Sequence, residues 1–327
     1  MRAASKVFVV TGGSGFVGSH LLADLASDDT VSTIYVLDQN QPSVSSPKIH
    51  AIPCDLREPI AFMPDEPVDA CIHLAAICRE PGFSWDEYFT GNYLVTRNVV
   101  EWAKRCAVGN LIFTSTAMVF HAGEIRHAEG DLPDADTAYG ISKALAEEVL
   151  HGWKSGAGGR RLRIVRPGVV FGKGGGGNFA RLHDALKFRY FFYVGRDSTV
   201  KSAIYVKDLV RLLRLLVDDA AGAEIHHGVY PEATTTRKVC DAFCEAYGWR
   251  RFIPTLPFRL ALLAAAPFHF LNVIGLRNPI HIRRIEKLYF STDLSAENLK
   301  RLGFEAKYSL TAAISDWRAD CAPGKIY

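Results

Sequence analysis

Short, continuous apolar runs alternate along the first half of the chain with stretches whose apolar positions recur every three to four residues. Val7–Val10, Ile34–Leu37, Ala70–Leu74, Leu111–Phe113 and Leu162–Val165 are runs of the kind that suits strands covered on both faces. Between them, Phe16–Ala26, Trp85–Arg105 and Ala138–Trp153 carry a helical pattern. Such alternation predicts an α/β fold built on a doubly wound parallel sheet of the Rossmann kind. Right-handed crossovers then bring the strand carboxyl ends, and any ligand, to one edge.

The pattern changes after about Pro167. Gly174–Gly177 reads as a glycine loop and Phe191–Val194 as a short strand, while Val206–Val217, Val239–Tyr247, Ser295–Leu302 and Leu310–Trp317 read as helices. These pieces are too short for a second sheet of comparable size. The expected division is a sheet domain over residues 1–172 and a smaller lobe over 173–327, with some of the later segments returning to the sheet domain.

Composition adds limits. A chain of 327 residues, 48% apolar and 22% charged, can bury a sizeable core, and is neither collagen, coiled coil nor a small disulfide scaffold. A net charge of +3 spread along the chain offers no nucleic-acid footprint. Seven cysteines with scattered spacing point to a reducing, cytoplasmic setting. Cys240 and Cys244 lie one helical turn apart without a second ligand pair, so no metal is expected. The apolar run after Lys6 is too short for a secretory signal. Phe258–Leu276 is the longest apolar stretch, but Arg259, Pro267 and His269 interrupt it. A membrane span needs about 20 predominantly apolar residues, so this stretch is read as a buried or interfacial helix pair.

Two motifs carry chemistry. Val7-Phe-Val-Val-Thr-Gly12-Gly-Ser-Gly15-Phe16-Val17-Gly18 reads as strand, glycine turn and helix start. Gly12 permits the tight turn, Gly15 lets a pyrophosphate approach the backbone, and Gly18 lets helix and strand pack closely. The helix amino terminus, with Phe16 and Val17, then faces the phosphates. Asp38 strengthens this signal by ending the second strand about 20 residues later, where a carboxylate accepts hydrogen bonds from the adenosine ribose. It also repels a 2′-phosphate, and Gln39 and Asn40 supply no arginine to receive one, so NAD is expected rather than NADP. The second motif is Tyr139-Gly-Ile-Ser-Lys143, preceded by Thr114-Ser115-Thr116 at a strand end. Tyr139 and Lys143 are four apart and share a helix face. An ammonium near a phenol, helped by a cationic nicotinamide, favours the phenolate and makes the tyrosine usable as a general base. A hydroxyl from the Thr-Ser-Thr edge holds the substrate oxygen beside it.

On these residues the chain resembles the extended short-chain dehydrogenases/reductases, within the NAD-dependent epimerase/dehydratase family that acts on nucleotide sugars. Cys54-Asp55-Leu56, His73-Leu74-Ala75-Ala76, Asn92, Phe113-Thr-Ser-Thr116-Ala, Arg166-Pro-Gly and Ile204-Tyr-Val-Lys-Asp-Leu209 extend the likeness, most closely over residues 6–172. The resemblance implies that Asp55 and Leu56 meet the adenine and that Leu74, Ala75, Ala76, Asn92 and Thr114 line the cofactor. It also implies that Thr116 is the catalytic hydroxyl beside Tyr139 and Lys143, with Ser115 as second choice. Asn178, opening a helix after Lys173 and four glycines, is an implied substrate contact. Lys201 is another, standing where many relatives have arginine; a lysine there loses the bidentate fork. Val169 replaces an asparagine frequent after the Arg-Pro-Gly. The resemblance further implies a homodimer through Trp85–Arg105 and Tyr139–Trp153.

Departures from the family narrow the reaction. Its 4,6-dehydratases carry an Asp-Glu pair directly after the catalytic threonine, and here Ala117 and Met118 cannot move protons. The glutamate of its sugar-acid decarboxylases and the cysteine of its 3,5-epimerase/reductases are missing from this stretch as well. What remains is hydride chemistry at a carbinol, read as a nucleotide-sugar 4-epimerase that transiently oxidises C4 with Tyr139 as acid/base. The alternatives are a 4-keto-sugar reductase, a hydroxysteroid or flavonol-type dehydrogenase, and a non-catalytic NAD-binding protein. Arg277, His281, Arg283, Arg284 and Lys287 follow the long apolar stretch. A solvated face beside a core helix is the preferred reading there, ahead of contact with an anionic membrane surface or a lipid-linked substrate. His73 is read as a packed core residue.

Overall fold

In a computed structural model, which describes residues 5–80, 82–219, 222–273 and 282–321, seven parallel strands form the central sheet. They are β1 Lys6–Thr11, β2 Val31–Asp38, β3 Ile49–Pro53, β4 Ala70–His73, β5 Asn110–Thr114, β6 Arg161–Pro167 and β7 Ile225–Gly228. Their spatial order is β7-β6-β5-β4-β1-β2-β3. The order reverses between β1 and β4, so the crevice beyond their carboxyl ends is the switch point where such sheets bind ligands.

The five apolar runs form β1, β2, β4, β5 and β6, because their side chains are buried on both faces of the sheet. On one face Phe8, Val10, Ile34 and Val36 pack against Leu21 and Leu22 of the Phe16–Ser27 helix and Leu212 and Leu213 of the Val206–Asp218 helix. On the other, Val7, Val9, Leu111 and Phe113 pack against Val99 and Trp102 of the Val95–Arg105 helix and Leu150 and Trp153 of the Ala138–Ser155 helix. The edge strands β3 and β7 escape the hydrophobic pattern for physical reasons. β3 has no fully buried position, mixing half-buried Ile49, Ala51 and Ile52 with exposed His50 and Pro53. β7 buries two histidines whose ring nitrogens bond the Ala223 and Ser295 carbonyls, at 2.7 and 2.8 Å. A residue read as polar in sequence is thereby accommodated in the interior.

Helical backbone runs from Trp85 to Arg105, as the pattern predicts, but Phe89–Leu94 within it is wound as a π-helix. That widening turns Asn92 inward, fully buried. Behind the sheet edge, Val169–Phe171 pairs with Ala203–Tyr205 and Tyr193–Val194 pairs with Thr255–Leu256, each a two-stranded parallel ladder. Phe171, Phe179, Tyr205, Phe243 and Trp317 form the core of this smaller lobe. The stretch expected to be a helix pair up to Leu276 is instead a single helix, Phe258–Val273, with Pro267 inside it. A further helix follows at Ile282–Tyr289. Leu276, Arg277 and His281 lie outside the described residues.

His73 closes β4 with no solvent exposure. Its ring nitrogens meet the hydroxyls of Thr11 at 2.6 Å and Thr96 at 3.0 Å, and its ring packs on Phe113. Burial, reinforced by the Lys143 cation, pushes its pKa down to about 3. Between that value and the ordinary 6.5 the unfolded chain binds a proton that the fold refuses. Urea unfolding is therefore expected to show stability falling as pH is lowered from 6.5 towards 3, with His73→Asn flattening that dependence. Gly140 provides a second test. A Cβ at this position on the Ala138–Ser155 helix would collide with the Met118 carbonyl oxygen, and backbone cannot rotate aside. Gly140→Ala is expected to destabilise the protein by about 1–3 kcal/mol, measured by the same unfolding assay.

Candidate active site

Gly12 leaves β1 with φ of 71°, in the left-handed region. A Cβ there would stand 2.5 Å from the Ala75 amide nitrogen, and one at Gly18 would stand 2.5 Å from the Gly12 carbonyl oxygen. The turn thus nests against the loop after β4, where Leu74 N–H donates to Thr11 O at 3.0 Å. Gly15 is the N-cap of the Phe16–Ser27 helix, which has no side-chain cap and no acidic residue in its first turn. Its leading N–H groups are therefore left to an anion. Val17 packs into the core, whereas the Phe16 ring lies against the glycine loop, so close that a Cβ on Gly175 would be 2.8 Å from it. Asp38 spans the turn: its carboxylate accepts from Ser14 N–H at 3.0 Å and Asn40 N–H at 2.9 Å. Each oxygen retains a lone pair for a ribose hydroxyl.

Beside it, Asp55 is bound in a fork by Arg57, with Nε–Oδ1 of 2.9 Å and Nη2–Oδ2 of 2.6 Å. That pairing holds the Asp55 pKa down to about 2. Leu56 is buried, with its side chain in the core beneath. The residues on hand fit a dinucleotide: a glycine cradle, an uncapped helix end and a carboxylate at the ribose position.

Asn92, expected along the cofactor, spends its side chain on the protein itself. Its Oδ1 accepts from Ile77 N–H at 2.8 Å, and its Nδ2 donates to Ile77 O and to Ser142 Oγ at 3.1 and 2.9 Å. It ties the loop after β4 to the Ala138–Ser155 helix one residue before Lys143, and acts by positioning both. Thr114 ends β5 with its Oγ1 buried and without a hydrogen-bond partner, while its carbonyl accepts from Lys143 Nζ at 2.6 Å.

Lys143 is almost completely buried, with Nζ 3.9 Å from the centre of the Phe113 ring. Burial pushes its pKa down to about 7. Tyr139, one turn earlier on the same helix, stands beside Thr116, and burial raises its phenol above the ordinary value. The two candidate hydroxyls now separate. Ser115 Oγ is bonded to Glu147, which pairs with Arg166 at 2.6 Å in a fully buried ion pair. Thr116 Oγ1 instead accepts from Met118 N–H at 3.1 Å and stands beside Tyr139. Ser115 Oγ is thus committed to the buried ion pair, whereas Thr116 is the hydroxyl that lies beside Tyr139.

Three residues near Tyr139 are unmarked in the sequence. Cys78 and Glu80, on the loop after β4, both raise the Tyr139 pKa further, and Glu80 Oε2 is buried without a partner. The Tyr88 ring lies 6.0 Å from that of Tyr139, and its hydroxyl donates to Arg79 O at 2.7 Å. Their one sequence signal is closeness to His73-Leu-Ala-Ala76 and to the start of the Trp85–Arg105 pattern. On the substrate side, Asn178 is exposed at the start of the Asn178–Lys187 helix. The loop before it is held over the glycine turn by Phe16 and by a 2.9 Å bond between His20 Nε2 and Lys173 O. Lys201 donates to Phe290 O, and burial pushes its pKa down to about 8. Among the described residues no cluster of metal-ligating side chains occurs.

Comparison with known proteins bears on this arrangement. The chain is 30% identical over 315 residues to the N-acetyl-alpha-D-glucosaminyl-diphospho-ditrans,octacis-undecaprenol 4-epimerase of Escherichia coli O157:H7, covering 94% of this chain and 92% of that protein. It is 25% identical over 293 residues to a dTDP-4-dehydro-6-deoxy-D-allose reductase of Streptomyces sp, covering 81% and 86%. Its fold matches that of a Thermus thermophilus UDP-glucose 4-epimerase, solved in complex with NAD, with a TM-score of 0.69 at 21% identity over 94% and 96% of the two chains. The model of the NAD dependent epimerase/dehydratase family matches residues 8–228, a span that runs from β1 to the end of β7. With the family pattern extending through the glycine turn, the Tyr139–Lys143 helix and the last strand of the sheet, this chain belongs to the NAD dependent epimerase/dehydratase family and is an enzyme that uses NAD.

Proposed function

We propose that the enzyme is a 4-epimerase acting on a hexose carried on a diphosphate, as in nucleotide sugars. The observation that carries this reading is Tyr139 standing beside Thr116 on the helix that carries the buried Lys143, with Ala117 and Met118 in the two positions that follow the threonine. One phenol handles the proton of a carbinol, and the side chains directly beside the threonine offer no acid or base for elimination. The full-length likeness to a 4-epimerase supports the same reading.

NAD, held by the Gly12–Gly18 turn, the uncapped helix end after Gly15 and Asp38, would supply reversible hydride chemistry at C4, which would leave the epimerase cycle redox-neutral. Thr116 Oγ1 orients the C4 oxygen by a hydrogen bond. Tyr139 removes the hydroxyl proton and restores it after the 4-keto sugar has turned over. Lys143, fixed by Thr114 O, lowers the cost of the phenolate in its protonated form. Asn178 and Lys201 address the diphosphate side of the substrate. The reductase relative favours a second reading, in which a 4-keto sugar is reduced and NADH is consumed.

One measurement separates these readings, and two more test the roles given to Tyr139 and Asp38. Purified protein given UDP-, GDP- or dTDP-hexoses without added NADH is expected to form the C4 epimer, and a strict requirement for stoichiometric NADH assigns the reductase reaction instead. Tyr139→Phe is expected to lower kcat by about 10²–10⁴-fold while leaving NAD binding by titration calorimetry unchanged. Asp38→Ala is expected to narrow the NAD over NADP preference by about tenfold or more, as one charge-assisted contact is lost and one repulsion removed; preference for NADP in the unaltered enzyme overturns the role given to Asp38.

A further inference from the structure

Over Phe258–Phe268 the Phe258–Val273 helix is apolar on both its buried and its exposed side. Ala261 and Ala265 are buried against the lobe, while Leu260, Leu263, Ala264 and Pro267, spaced i, i+3, i+4 and i+7, form an outward stripe. Leu260 is 53% exposed and Leu263 69%. A helix on a protein surface ordinarily turns charged and polar residues outward, and here the sole charge in Phe258–Phe268 is Arg259.

This helix continues into a second exposed apolar region. Thr255–Leu256, just ahead of it, pairs with Tyr193–Val194. Behind that pairing lies a groove of about 390 Å³ whose walls include Leu186, Arg189, Tyr190, Arg250 and Phe252. Phe252 is 93% exposed, and Phe188 and Tyr190 also project into solvent, on either side of Arg189. Charge is segregated in the same part of the chain. Between Glu245 and Glu286 there is no acidic residue, while Arg250, Arg251, Arg259, Arg277, Arg283 and Arg284 all fall there.

We propose that this face docks on an anionic lipid bilayer, with the leucine stripe and the rim of Phe188, Tyr190 and Phe252 entering the interface and Arg189, Arg250, Arg251 and Arg259 meeting the headgroups. Exposed aliphatic and aromatic side chains bordered by cations are what such a surface takes up. Nucleic acid has no use for the leucines. A second copy docked about a twofold axis would set the same arginines against each other. Resting on the epimerase reading, the inference also names the substrate class: a hexose joined through diphosphate to a membrane lipid. The route is short. Phe258 stacks on Tyr289 at 4.1 Å, and the carbonyl of the next residue, Phe290, accepts from Lys201, the cation assigned to the diphosphate.

The test is flotation of the full chain with vesicles of phosphatidylcholine alone or with about 40 mol% phosphatidylglycerol, at about 50 and 500 mM salt. Binding is expected to be about tenfold stronger to the anionic vesicles and to weaken at high salt. Leu260→Gln with Leu263→Gln, and separately Phe252→Ser, are expected to cut it about tenfold with thermal unfolding and NAD binding unchanged. Equal binding to both vesicle types, unaltered binding by folded variants, or variants that merely dissociate a dimer overturn the proposal. The carrier is tested by turnover: the Leu260/Leu263 variant is expected to slow on a polyprenyl-diphosphate hexose embedded in vesicles but not on a short-chain, water-soluble analogue. Because vesicle binding is read without turnover, loss of epimerase activity on every substrate with binding intact overturns the function and leaves the docking surface standing.

Discussion

The burial of the Lys143 ammonium beside Tyr139 is the constraint on which the site depends. A cation inside a protein is costly unless its charge is compensated, and the arrangement around Lys143 supplies partial compensation only. The Thr114 carbonyl accepts its hydrogen bond at 2.6 Å, and the Phe113 ring offers a π-face at 3.9 Å. Glu147, one turn further along the helix, is committed to Ser115 and Arg166. A carboxylate bonded directly to the ammonium would satisfy Lys143 but would weaken its field at the phenol. Carbonyl and ring hold the lysine in place without a carboxylate bonded directly to it.

That position has to be kept fixed, and the fixing is distributed over distant segments. Asn92, turned inward by the π-helical winding of Phe89–Leu94, joins Ile77 to Ser142. Gly140 lets the Ala138–Ser155 helix sit directly on the turn that follows Thr116. Gly12 lies against Ala75 and so couples the phosphate turn to the same loop. The loop after β4 is therefore shared, carrying the cofactor crevice on one side and Cys78 and Glu80 towards Tyr139 on the other. A shift in any of these contacts moves the glycine turn and the Tyr139–Lys143 helix relative to each other.

The smaller lobe is built on a different principle. Its inner side is an aromatic core around Phe171, Phe243 and Trp317, which anchors it to the end of the sheet. Its outer side leaves leucines and aromatics in the open among arginines. No helix among the described residues is long and apolar enough to cross a membrane. The net charge of +3 conceals that outer side, since acids elsewhere in the chain balance the basic, apolar stretch between Glu245 and Glu286.

The five inner strands, the glycine turn, Asp38 and the Tyr139–Lys143 pair are legible in the sequence because local geometry fixes them: strand burial follows apolar runs, and a spacing of four residues fixes a helix face. The preference for Thr116 over Ser115 has a weaker basis there, resting on the residues that follow, and the ion pair of Glu147 with Arg166 is what separates the two hydroxyls. The inward turn of Asn92 and the buried histidines of β7 are hidden for the same reason, as their partners lie far away in the chain. Phe258–Leu276 shows the boundary plainly. Its sequence sets the apolar content and the flanking charge, whereas only packing against the lobe decides which of its described residues are covered. Sequence by itself determined what chemistry this protein carries; tertiary structure decided which atoms are free to perform it, because a polar group or an apolar face is defined by what folds against it.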